Sequence, residues 1–85
     1  MSDAKSQAKD YFDFVLGCYP DALIGLNIPD HPTVRRTYLY GVLKTVLGAE
    51  MDQYVKMHLL NMLKNEIGMS SDELAADILK YASGE

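Results

Sequence analysis

The sequence predicts an all-α protein, a compact four-helix bundle forming a single domain over residues 1–85. Three observations lead there. Apolar residues return at three- and four-residue steps in four separate segments. Proline and glycine punctuate the gaps between those segments. No stretch alternates apolar and polar residues with a period of two over a useful length, so no strand is expected.

The first helix is expected from about Asp3 to Tyr19, with Ala4, Ala8, Tyr11, Phe12, Val15 and Tyr19 on one stripe. Ser2 is its expected N-cap, because a serine oxygen accepts from a free amide of the first turn. Pro20 is expected to stop it, since proline lacks an N–H and restricts the residue before it. Residues 20–32 hold all three prolines of the chain, together with Leu23, Ile24, Leu26 and Ile28. That composition predicts a long Pro-containing connection between helices 1 and 2. After one helical turn it should cross the bundle and tuck its aliphatic residues underneath. Long connections of this kind can carry function.

The second helix is expected from His31–Thr33 to about Leu47, capped by Asp30 and ended by Gly48. Pro32 is tolerated in its first turn, where a missing N–H costs nothing. The third should run from Glu50 to Ile67, with Gly68 after its end, and should be the most buried. Its stripe of Met51, Val55, His58, Leu59 and Met62 widens through Leu60, Leu63 and Ile67. Ser70 and Glu73 fit a capping box that opens a fourth helix. Leu74, Ala75, Ile78, Leu79 and Ala82 form its stripe, and it should fray over Ser83-Gly84-Glu85.

Composition narrows the function classes. The net charge of −4 disfavours general binding to polyphosphate. One cysteine makes no internal disulfide. The first ten residues carry no apolar core of a signal peptide, and apolar runs fall far short of the roughly 20 residues that cross a bilayer. A cytoplasmic protein with no membrane association is expected. At 85 residues the core is barely self-sufficient, so association with another copy would help.

Charge is nevertheless distributed unevenly. Between residues 31 and 49 there are three cations, Arg35, Arg36 and Lys44, and no acidic residue. The bland account is pairing with acidic neighbouring helices. The functional account is a partner-binding surface of Arg35, Arg36, Tyr40 and Lys44, with Tyr40 exposed because it cannot point inward together with Tyr38. Six tyrosines and five methionines strengthen an interface reading. Phe14 and Leu16, off the main stripe of the first helix, add to it.

Catalytic and metal chemistry find little footing. Cys18 with His58 as its base has no motif behind it, and a helix C-terminus disfavours a thiolate. Cys18, His31 and His58 lack metal-ligand spacing, so neither metal nor cofactor is expected. Size, acidity and helix count also suit acyl carrier proteins. Their Asp-Ser-Leu motif, however, is replaced here by Asp30-His31-Pro32-Thr33, and that resemblance fails. The expectation is a non-enzymatic helical protein–protein interaction or regulatory module, homo-oligomeric, with another protein as partner. The alternative is a small nucleic-acid-binding regulator using the basic second helix.

Overall fold

The computed structural model describes residues 3–84. Four helices form the expected bundle: α1 over Ala4–Leu26, α2 over Pro32–Gly48, α3 over Gln53–Ile67 and α4 over Ser71–Ala82. Among the described residues there is no strand. No helix among them is long and apolar enough to cross a membrane.

α3 is the central element. Val55, Leu59, Leu63 and Ile67 follow four-residue steps and are all buried. On one side they meet α1, which contributes Ala8; on the other they meet Leu39, Leu43 and Val46 of α2. α4 packs on α2 and buries Leu74. α1 scarcely touches α2 and does not pack on α4. The bundle is therefore open between those helices, and the molecule is flattened, measuring 48 × 27 × 18 Å. Its radius of gyration is 13.9 Å, against about 12 Å for a domain of this length.

The helix ends show why the elements stop where they do. The expected cap Ser2 lies outside the described residues; Asp3 caps α1 by accepting from the Ser6 amide at 2.7 Å. Pro20 does not stop α1, which continues to Leu26. The true stop is Asn27, in the left-handed region at φ 54°. The Asn27 amide donates to the Ile24 carbonyl and the Ile28 amide to the Leu23 carbonyl, a Schellman closure that satisfies the last turn. The connection to α2 thus shrinks to residues 27–31, with Pro29 inside it. Its aliphatic neighbours are not tucked under the bundle: Ile24 and Leu26 are exposed.

Asp30 does not cap α2 either. It accepts from the Tyr19 hydroxyl at 2.8 Å, and His31 caps instead, with Nδ1 accepting from the Thr33 amide. α3 begins at Gln53 rather than Glu50 because the Asp52 carboxylate accepts from the Tyr54 and Val55 amides. Gly68 follows α3 at φ 72°, and the Ser70–Glu73 capping box opens α4, both as the sequence predicts.

Candidate functional site: an apolar groove beside the basic helix

The four residues expected to form a partner surface separate into two behaviours. Arg35 donates to Glu66 of α3 at 2.7 Å, and Arg36 donates to Asp77 of α4 at 3.2 Å. Both arginines therefore tie α2 to its acidic neighbours, which is the bland account of the basic helix. Tyr40 is half-buried and packs against the core rather than standing free. The Lys44 ammonium lies 5.6 Å from the centre of its ring, within cation–π range. Only Lys44 of the three cations is left without a carboxylate among the described residues.

Asp77 is the hub of the α2–α4 contact. Besides Arg36 it accepts from the Thr33 hydroxyl at 2.7 Å. The hydroxyl bond first, and the guanidinium beside it second, hold the Asp77 carboxyl below the ordinary carboxylate value. Tyr81 of α4 lies against His31, with ring centres 4.5 Å apart. On the other side of α2, the Tyr38 hydroxyl donates to the Val15 carbonyl at 2.8 Å, and the Tyr19 and Tyr38 rings meet at 5.3 Å. Burial pushes the Tyr38 phenol above its usual value. Tyr19 is raised as well, by burial first and then by its bond to Asp30.

Between these two seams lies a groove of about 900 Å³. One wall is α1, through Tyr11, Phe14 and Val15, and Leu26 and Ile28 also line the groove. The opposite wall is Ile78 and Tyr81 of α4. The floor is the face of α2 carrying Thr33, Thr37, Gly41 and Thr45, flanked by Val34, Tyr38 and Val42. Tyr11 and Phe14 are 53% and 71% exposed, so the groove is open to solvent rather than enclosed.

Three threonines stand in that floor, and each spends its hydroxyl proton inside the protein. Thr37 donates to the Thr33 carbonyl, Thr45 to the Gly41 carbonyl and Thr33 to Asp77. Thr37 and Thr45 thus have no free O–H donor for the groove and keep a methyl group and acceptor lone pairs. Gly41 adds no side chain, and a Cβ placed on it meets no atom within 4 Å. The result is a shallow, smooth channel along α2 from Thr33 to Val46, about 20 Å long at 1.5 Å per residue.

No family model, curated protein or solved structure matches the chain. The groove is therefore read from its own chemistry.

Sequence reasoning did not find this groove. It placed Tyr11 on the buried stripe, whereas Tyr11 is exposed at the groove wall. Phe14 was legible, because it falls off the stripe that meets α3. Among the described residues no cluster of three His, Cys, Asp or Glu side chains is arranged to hold a metal. Cys18 and His58 are not brought together as nucleophile and base. His58 lies near Asp3, which is fifteen residues and about 22 Å along α1 from Cys18.

Proposed function

We propose that this protein is a non-enzymatic helical interaction module that seats the apolar face of a helix in the groove between α1, α2 and α4. The observation that carries the proposal is the floor of that groove. A stripe of small residues with no free hydroxyl donor, beside exposed aromatic side chains, suits helix-in-groove recognition, in which a few apolar anchors enter a preformed channel. An exposed apolar surface of this extent marks interaction sites in soluble proteins. A length of about 20 Å accommodates three to four helical turns. The nucleic-acid reading has weaker support, since two of the three α2 cations are engaged by Glu66 and Asp77. Cytoplasmic location belongs to the same proposal: a lone half-buried Cys18 suits a reducing compartment.

A designed amphipathic peptide of leucine and lysine, fluorescently labelled and titrated with the protein, tests the groove directly. Micromolar binding is expected, weakened at least tenfold by Gly41→Glu, which places a charge in the floor without harming helix propensity. Absence of binding up to about 1 mM would sink the reading.

A further inference from the structure

The edges of the groove carry charge of one sign, because α1 sorts its charges by face. Phe14 marks the outer edge of the α1 wall, and Val15 marks the side that turns toward the core. With 3.6 residues per turn, Asp10 and Asp21 fall about 40° and 20° beyond Phe14, on the side away from Val15. Both are exposed, and neither has an ion pair among the described residues. The cations of this helix are elsewhere. Lys5 and Lys9 lie about 180° and 140° from Phe14, on the far side of α1, and Lys9 is spent on Asp13 at 3.0 Å.

The other walls supply no opposing cation. On α4, Lys80 lies about 160° round the helix from the groove residue Ile78. On α2, Arg35 and Arg36 are tied to Glu66 and Asp77. The Lys44 ammonium sits over the ring of Tyr40, which does not line the groove. The apolar channel is thus bordered along α1 by two unpaired carboxylates.

We propose that the helix seated in this groove belongs to a cationic partner protein, with lysine or arginine on the flank that meets α1. This rests on the groove being a docking site for a helix. Asp10 and Asp21 are eleven residues apart, which is about 16 Å, or three turns, along α1. A partner helix lying alongside α1 meets both with cations three turns apart on one face, while its apolar face enters the channel. Pairs at such a solvent-exposed rim add modest affinity each. They fix the direction in which the partner faces and reject helices of the wrong charge. The net charge of −4 acts in the same sense at long range, favouring encounter with cationic partners.

The test compares the leucine–lysine peptide with a leucine–glutamine peptide that keeps every leucine in place. Asp10→Asn together with Asp21→Asn should weaken the lysine peptide about tenfold at about 10 mM salt, and that loss should vanish at about 1 M salt. The same pair of substitutions should leave the glutamine peptide unaffected. Asp13→Asn removes the same charge from a carboxylate already paired with Lys9, and should leave the lysine peptide close to its original affinity. Sedimentation of the protein alone should give the mass of one chain, 9.5 kDa.

A lysine peptide indifferent to the Asp10 and Asp21 substitutions, with both peptides still bound, would overturn the cationic partner and leave the groove reading standing. Equal losses for the two peptides would make these carboxylates structural and equally overturn it. So would an Asp13→Asn loss as large as theirs, since net charge and not the rim would then decide. A dimer that Gly41→Glu dissociates would make a second copy the occupant and also overturn it. If neither peptide binds, both readings fail together.

Discussion

The Thr33 hydroxyl donates to the Asp77 carboxylate at 2.7 Å, joining residues 44 positions apart in the chain. Thr33 is the one buried polar residue among those described, at 4% exposed. Asp77 has this hydroxyl and the Arg36 guanidinium as partners. Beyond these bonds α4 is held by the buried Leu74 and by the contact of Tyr81 with His31. The polar seam therefore decides where α4 sits, and with it one wall of the groove.

Thr33→Val keeps the shape of the side chain and removes the hydroxyl. Asp77 then keeps Arg36 alone. The melting temperature should fall by about 4–8 °C, the shift that one lost hydrogen bond causes in a domain of this size. Thermal denaturation followed by circular dichroism measures it. An unchanged melting temperature would mean that α4 is held by its apolar contacts alone.

Acid should loosen the same seam. Asp77 titrates below its ordinary value in the folded protein, through the Thr33 bond first and Arg36 next. A carboxyl depressed on folding adds stability that is complete above its unfolded value of about 3.9. That stability is lost as pH falls through the lower folded value. Asp77→Asn should therefore melt below the wild type at pH 7, and the gap should close as pH drops below about 4. Melting curves of both proteins across this range report it. A gap that persists at the acid end would assign the Asp77 effect to shape rather than charge.

Much of the fold was legible in the sequence because α3 and α4 obey local rules. The four-residue steps of Val55, Leu59, Leu63 and Ile67, the glycine at 68 and the capping box at Ser70 each act within a few residues. The errors arose where a distant partner outweighed a local preference. Asp30 is a better cap than His31 by propensity, yet the Tyr19 hydroxyl claims it. The charges of Arg35 and Arg36 were visible, but their partners Glu66 and Asp77 lie on other helices. The groove was hidden for the same reason. Periodicity shows which faces are apolar, while the gap between α1 and α2 follows from how both lean on α3.

Gly68 should be the least replaceable glycine in the described part of the chain. Its φ of 72° lies in the left-handed region, and its amide closes α3 on the Lys64 carbonyl. An added Cβ finds room, with the Asn65 carbonyl 3.8 Å away, so the cost is backbone conformation and not crowding. Gly68→Ala should destabilise by about 1 kcal/mol. Gly41→Ala, in the middle of α2 with open space around it, should stabilise by a similar amount, about 0.5–1 kcal/mol. Urea denaturation of the pair tests the contrast; a loss of stability in both would indicate that the α2 face is closed, contrary to an open groove.

Pro20 presents the sharpest conflict between local preference and observed structure. It sits inside α1, six residues before the end of the helix. It cannot donate to the Leu16 carbonyl, and its ring presses on that carbonyl. In the turn just before it, the Val15 carbonyl takes the Tyr38 hydroxyl from α2. Tyr19 on the neighbouring position is held by Asp30 and by the Tyr38 ring. These contacts, with the Asn27 closure beyond, carry the helix through the proline. Pro20 itself is exposed, so replacing it removes no packing. Pro20→Ala should restore the missing ladder bond and stabilise by about 1–3 kcal/mol. The gain should grow when Tyr38→Phe is added, since the proline turn then loses the hydroxyl that braces it, while the alanine turn has its own ladder bond. A double-mutant cycle in urea gives the coupling directly. Additive effects would show that the Tyr38 bond and the proline act on α1 independently.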